Sequence, residues 1–286
     1  MKNGRYQVIN KLGWDSWSTT WIAQDFFPDD IHDHIFVSLK VWTAARSRNL
    51  GHVQAMRDLY SSLHNTTYHV LRMIDVFEEP SHRGVHLCFV MEMYGPTLES
   101  IIFEHSGALD SRMNTDVILM VTDELLNAIS RIHEAGYGYG DIHCTNIVFT
   151  LPAQCRREMR HLRPVIGPMV FFNLCGPNDE NLNQDLPYQI VQSPSFGWHL
   201  EEIECIRLVN SSVAVASGRP STFPLPPENF PPEFYFPSIC DHRIDLWSAG
   251  IVIYMMLFRD VPFKDVFSPI LLIRQMIGFM EDLPEA

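Results

Sequence analysis

The sequence predicts an α+β fold in which a β-rich N-terminal part precedes a larger, mainly helical part. Short runs of apolar residues with strand-like spacing dominate up to residue 94, and helical spacing dominates after Gly95-Pro96. The 286 residues suit one large domain or two lobes that share a core. We therefore predict a small lobe over residues 1–94 and a larger lobe over residues 95–286.

The predicted small lobe contains four strand-like runs and one helix. The apolar runs at 5–9, 19–23, 35–41 and 85–91 are short and are bounded by turn-forming or polar residues. Residues 50–63 carry apolar side chains three and four positions apart, which is typical of a helix. The small lobe is thus predicted to be a sheet with one helix.

The predicted large lobe begins with a long helix whose apolar stripe runs from Val117 to Ile132 and which Gly136 terminates. Residues 243–258 are apolar on nearly all sides, so we expect this helix to be buried all round, and a further helix is predicted at 269–280. The intervening region, 150–238, is predicted to be rich in loops because proline crowds its second half.

Composition excludes several classes of protein. With 21 Lys and Arg against 34 Asp and Glu, the formal charge of −13 disfavours nucleic-acid binding and is compatible with a basic protein or peptide partner. No uncharged apolar run of about 18 residues appears, so no membrane insertion is expected. The N-terminus lacks the apolar core of a signal peptide, and the six cysteines form no CxxC pair. We expect a cytoplasmic or nuclear protein with reduced thiols.

Two groups of residues could carry chemistry. The turn from Leu12 to Ser18 joins two predicted strands, and Lys40 on the next strand could hold phosphates that the turn covers. Asp141 and Asn146 lie five residues apart on a loop that follows the long helix. There a carboxylate could orient an attacking hydroxyl and an amide oxygen could bind magnesium. The alternatives are an ordinary hairpin and an ordinary Asx-rich turn.

These motifs, in this order, resemble the eukaryotic protein kinases, and the SR-protein kinase family in particular. The resemblance rests on five segments: Lys11 to Trp21, Val37 to Val41, Cys88 to Leu98, Asp141 to Asn146, and Asp241 to Gly250. It extends over nearly the whole chain and is poor from about 150 to 230. It implies a bilobal fold, and ATP and magnesium as cofactors.

The resemblance also implies roles for single residues. Lys40 would bind the α- and β-phosphates, and the hinge from Glu92 to Tyr94 would bind adenine. Asp141 would be the catalytic aspartate, Asn146 a metal ligand, and Asp245 a brace for the catalytic loop. The nucleotide-binding and metal-binding residues expected on this basis are Leu12, Gly13, Ser18, Lys40, Glu92 and Tyr94, with Asn146 and Asn173.

Several positions depart from the family pattern. Asn173 is predicted to stand at the metal-binding aspartate, so magnesium would be weakly bound or dispensable. Met56 is predicted to replace the glutamate that pairs with Lys40, although Asp58 lies nearby. Asp15 replaces the second glycine of the phosphate loop. The chain also stops at Ala286, before the last helices of the large lobe that the family would have.

Three functions remain open from the sequence. One is a serine/threonine protein kinase domain that binds ATP and transfers phosphate weakly to basic, Arg-Ser-rich proteins. The second is a pseudokinase that acts as a nucleotide- or protein-binding scaffold. The third is a small-molecule kinase, because aminoglycoside and choline kinases have a similar Gly-Asp-x-His…Asn loop. The small lobe and Asp245-Leu246-Trp247-Ser248 favour a protein kinase over this third function.

Overall fold

The chain forms two compact units, each assembled from segments that are distant in sequence. The first unit comprises Met1–Leu50, Arg72–Gly95 and Thr150–Glu204, and the second comprises Gly51–Leu71, Pro96–Phe149 and Cys205–Ala286. The computed structural model describes residues 1–28, 35–48, 51, 53–54, 68–104, 113–173, 189–193, 196, 205–209, 215–216, 231–234, 241–264 and 268–281. The chain changes units at Gly95, close to the predicted boundary, but 51–71 and 150–204 fall in the opposite unit from the one expected.

The first unit is built on a five-stranded antiparallel sheet. Its strands are β1 (Tyr6–Asp15), β2 (Ser18–Asp25), β3 (Phe36–Trp42), β4 (Met73–Ser81) and β5 (Gly84–Glu92), in the order β1-β2-β3-β5-β4. A short helix, α1 (Ala44–Ser47), follows β3. The four predicted strand runs are confirmed. The sequence did not predict β4. This edge strand contains Pro80 and has no fully buried residue.

Two short helices complete the core of the first unit. Helices α4 (Ala153–Arg157) and α5 (Met159–Ile166) follow one another directly. Buried side chains of these helices pack with side chains of the sheet and with residues 93 and 151 in one hydrophobic cluster. The cluster consists of Leu12, Ile22, Phe36, Met93, Leu151, Cys155, Leu162 and Ile166. The prediction that this region is loop was therefore wrong at 153–166. The helices are short and Pro164 lies inside α5, so the sequence pattern is weak there.

The second unit is mainly helical. Its helices are α2 (Leu98–Glu104), α3 (Thr115–Glu134), α6 (Ile244–Phe258) and α7 (Pro269–Glu281). The predicted helices at 117–132, 243–258 and 269–280 are confirmed, and with the sheet of the first unit they confirm the α+β class. Helix α3 begins where the Asn114 side chain accepts a hydrogen bond from the amide of Asp116, and Gly136, with φ of 83°, follows its end.

Short strands make up the remainder of the described structure. They are β6 (Tyr94–Thr97), β7 (Tyr137–Gly138), β8 (Ile147–Thr150), β9 (Phe171–Asn173), β10 (Gln189–Val191), β11 (Ile206–Leu208) and β12 (Val215–Ala216). Strand β11 pairs antiparallel with β8, and β12 pairs with β7. Strands β9 and β10 form a separate two-stranded sheet.

The expectation that α6 is buried on every side is wrong for the described structure. One face is buried, with Ile251 and Val252 at 5% and 1% exposure, whereas Leu246 and Phe258 are 51% and 62% exposed. Apolar composition alone does not reveal which side of a helix is covered. None of the described helices is long and apolar enough to cross a membrane.

We expect Leu162→Ala to destabilise the first unit by about 2–4 kcal/mol, because it leaves a cavity among fully buried side chains. The matched control is Leu119→Ala on α3, where the side chain is 62% exposed and the loss should stay below about 1 kcal/mol. Urea unfolding followed by tryptophan fluorescence measures both. Equal losses in the two variants would contradict the packing of α5 in this core.

Candidate functional site

The structure brings Asp141 and Asn146 into direct contact on the loop between β7 and β8. The side-chain amide of Asn146 donates to the backbone carbonyl of Asp141 at 3.0 Å and to its Oδ2 at 2.8 Å. A 3₁₀ turn over Cys144–Asn146 places the amide beneath the carboxylate, and Asn146 is 2% exposed. The predicted catalytic carboxylate is therefore held by the predicted metal-binding amide.

A buried carboxylate from the first turn of α6 fixes the start of this loop. Asp245 is 1% exposed and accepts hydrogen bonds from the backbone amides of Tyr139 and Gly140, each at 2.8 Å. Its Oδ2 also lies 2.8 Å from Nε2 of His133 on α3. Three donors therefore compensate for the desolvation of one carboxylate. This arrangement is the brace that the resemblance implied for Asp245.

Two glycines allow the loop to approach Asp245. A Cβ added to Gly138 would lie 3.1 Å from Cα of His242, closer than neighbouring backbone normally permits. The backbone at Gly140 has φ of 79°. A residue with a side chain would cost about 1–2 kcal/mol in this conformation. The loop conformation thus depends on glycine at both positions.

Asp141 has the imidazole ring of His143 beside it. Nε2 of His143 lies 3.5 Å from Oδ1 of Asp141. Nδ1 of the same ring lies 2.5 Å from the hydroxyl oxygen of Thr145, so the ring is oriented from both sides.

In the first unit, Lys40 on β3 has a carboxylate partner that the sequence did not reveal. Its Nζ lies 3.2 Å from Oδ2 of Asp15, at the end of β1. Burial acts to raise the pKa of Asp15, but the charge of Lys40 and hydrogen bonds from Ser18 and Trp17 outweigh it and lower that pKa below its ordinary value. The prediction that Met56 replaces the glutamate partner of Lys40, with Asp58 nearby, concerns residues outside the described part of the chain.

A signal for this pair was present in the sequence. Asp15 precedes a two-residue turn in which its carboxylate can accept local hydrogen bonds, and a strand lysine with little exposure requires a counter-charge. Strand β2 pairs with both β1 and β3, and Thr20 pairs with Lys40. The β1–β2 hairpin therefore places Asp15, at the end of β1, next to Lys40.

The remaining predicted nucleotide-binding residues also lie in the first unit. Leu12 is buried, Gly13 pairs with Thr20, and Ser18 begins β2. At the hinge, Glu92 is 7% exposed, and its Oε1 accepts from the amide of Arg72 at 3.1 Å. Tyr94 packs against the cluster that α4 and α5 complete.

The second carboxylate oxygen of Glu92 faces α4, 3.8 Å from Nη1 of Arg156. The hinge is therefore tied to the helices that the sequence analysis treated as loop.

The assignment of Asn173 as a metal ligand stays a prediction. The sequence places Asn173 there because it follows a strand after Asn146. The strand directly after Asn146 is β8, and it pairs with β11, whereas Asn173 ends β9 and pairs with Gln189. The amide of Val209, just after β11, also donates to the carbonyl of Asn146 at 2.9 Å. The position after Val209 is therefore a second candidate for the metal ligand.

Comparisons with known proteins agree with this architecture. No family model matches the chain. Serine/threonine-protein kinase SKY1 of Saccharomyces cerevisiae is 26% identical over 159 residues, which is 52% of this chain and 20% of SKY1. A serine/threonine protein kinase of Aspergillus fumigatus is 29% identical over 147 residues, which is 51% of this chain and 34% of that protein. SRSF protein kinase 3 of Mus musculus is 33% identical over 102 residues, which is 34% of this chain and 17% of that protein.

These similarities, together with a β-rich part followed by a helical part, make the chain a protein-kinase-like one. Its similarity to SKY1 and to SRSF protein kinase 3 makes it, more particularly, a relative of the SR-protein kinases. The matched segments span about a third or less of the length of these relatives.

We expect Asp245→Asn to destabilise the second unit by about 2–4 kcal/mol, because an amide cannot accept from all three donors and brings an NH₂ group towards them. The amides of Tyr139 and Gly140 should also exchange with deuterium faster. The control is Asp241→Asn, whose partner Arg243 is 74% exposed, and whose loss should be below about 1 kcal/mol. Unchanged exchange at Tyr139 and Gly140 would contradict the bracing role.

Proposed function

We propose that the chain is the ATP-binding core of an SR-protein-kinase-like serine/threonine kinase with weak phosphotransfer. The observation that carries the proposal is the contact of Asp141 with Asn146 on a loop braced by Asp245. In phosphotransfer of this type, the carboxylate orients the substrate hydroxyl, and positioning with charge neutralisation supplies nearly all of the catalysis. A preorganised carboxylate of this kind is what such a reaction requires.

Weak transfer follows from the ligands available to a metal ion. Asn146 offers an oxygen donor of the hard kind that magnesium prefers, but it is a neutral amide without the charge of a carboxylate. The resemblance implies a second metal ligand, an aspartate after a strand that follows Asn146, and β11, which pairs with β8, is one such strand. In this chain the residue that follows Val209 is Asn210, which lies outside the described residues. A neutral amide there would bind magnesium less strongly than a carboxylate.

The substrate class in the proposal is basic, Arg-Ser-rich protein. It is supported by the relatives, one of which is named an SRSF protein kinase, and by a formal charge of −13 that suits a basic partner. Such a substrate would be met in the cytoplasm or the nucleus, which is the location we propose.

A second candidate function is a pseudokinase scaffold. The contact of Asp15 with Lys40 favours it, because a carboxylate already neutralises the lysine that should hold the phosphates. The two candidates differ in whether any phosphate reaches a substrate.

We expect the protein to phosphorylate an Arg-Ser-repeat peptide slowly, and Asp141→Asn to reduce that rate by about 10²-fold or more through loss of the catalytic carboxylate. Transfer from radiolabelled ATP to the peptide is the measurement. The control is Asp123→Asn on the exposed face of α3, which should leave the rate unchanged. If wild type and Asp141→Asn incorporate equal, background amounts of phosphate, the scaffold replaces the kinase as the proposed function.

We expect Asn210→Asp to raise magnesium-dependent ATP affinity by about 10–100-fold, because it restores the charge at the position that follows β11. Asn173→Asp is the matched control. It adds the same charge at the end of β9, whose partner is β10, and should leave the magnesium dependence unchanged. Calorimetric titration of ATP at zero and saturating magnesium measures both. A gain in Asn173→Asp alone would support the assignment made from the sequence instead.

A further inference from the structure

We propose that Asp15 is an internal competitor for phosphate at Lys40, so that this nucleotide site gains little affinity from the phosphates of ATP over an adenosine-class ligand that lacks them. The inference rests on the proposed nucleotide-binding function and extends it to the class of ligand. It is carried by the position of the Asp15 carboxylate and by the groups that this carboxylate engages.

The Asp15 carboxylate engages three different donors. Besides Lys40, the carboxylate of Asp15 accepts hydrogen bonds from the backbone amide of Trp17 at 2.7 Å and from the hydroxyl of Ser18 at 2.6 Å. A backbone amide of the loop, a hydroxyl and an ammonium are the donors with which a phosphate-binding loop holds an anion. In this structure one carboxylate is bonded to all three.

The negative charge of the Asp15 carboxylate opposes the binding of a triphosphate. A carboxylate in this position presents a full negative charge where the phosphates of ATP would lie. The low pKa of Asp15 supports this, because the group stays ionised at neutral pH. A triphosphate must therefore displace the carboxylate from Lys40 and also tolerate its charge nearby. A nucleoside without phosphates meets neither obstacle.

The part of the unit that is predicted to bind the base does not depend on the pair of Asp15 and Lys40. Leu12, Met93 and Tyr94 belong to the cluster that α4 and α5 complete, and neither Asp15 nor Lys40 is part of it. A ligand that uses only this part should bind with or without Asp15. The small gain from the phosphates then arises from repulsion and competition at one end of the site, with no loss at the other.

The test compares ATP with adenosine for wild type and Asp15→Asn by calorimetric titration without magnesium. The amide keeps an oxygen acceptor for the Trp17 amide, and it replaces the oxygen that contacts Lys40 and Ser18 with an uncharged NH₂ group. We expect ATP affinity to rise by about 10–100-fold, from the usual strength of a charge-assisted contact, and adenosine affinity to change less than threefold. Asp15→Gly, which removes the side chain altogether, should give the same direction of change.

Two further variants separate the causes. Asp260→Asn removes a carboxylate from an exposed pair with Lys264 and controls for net charge, so both affinities should stay as in wild type. In a Lys40→Met background, Asp15→Asn should raise ATP affinity far less, because the contested cation is gone. A gain that persists in full without Lys40 would overturn competition at that residue.

The remaining outcomes are also decisive. Unchanged ATP affinity in Asp15→Asn and Asp15→Gly, or an equal gain for adenosine, overturns the inference and leaves nucleotide binding intact. Binding of neither ligand to any variant would overturn the nucleotide site itself, and with it both proposals.

Discussion

The second unit depends on one buried carboxylate. Asp245 lies in the first turn of α6, where the helix dipole favours a negative charge, and it is removed from water almost completely. A buried carboxylate is stable only when it accepts hydrogen bonds. The donors here are the backbone amides of Tyr139 and Gly140 and the imidazole of His133 on α3. The glycines at 138 and 140 follow from this requirement, because the loop must come close to α6 and turn there.

Within each unit, residues close in sequence stand beside the charged groups that the resemblance singles out. Lys40 is neutralised by Asp15 from the adjoining hairpin, and Asp141 has His143 beside it. Each of these neighbours comes from within the same unit and from a short stretch of chain. These two contacts therefore form without a bound nucleotide.

Periodicity and motif order were sufficient to predict much of the fold. The partial alternation in β1 and β2, the continuous apolar runs of β3 and β5, and the apolar stripe on α3 all reflect burial, so these elements were predictable. The contact of Asp141 with Asn146 was also predictable, because both residues lie on one short loop. Local pattern could not reveal α5, which Pro164 interrupts, or the uncovered side of α6. The pairing of β8 with β11 is a long-range contact, so the sequence pattern did not reveal the second candidate position after Val209.

The membership of residues 151–166 in the first unit has a consequence for how the chain folds during synthesis. The sheet strands are complete once residue 92 has been made, but the side chains that cover Leu12, Ile22 and Phe36 come from residues about 60 positions later. Between them the chain supplies α2 and α3, which belong to the other unit. The nascent sheet therefore exposes an apolar face for several seconds at ordinary rates of translation, about 5–20 residues per second. During that interval a chaperone has a binding surface, and a fragment that ends near Gly95 would keep that surface permanently.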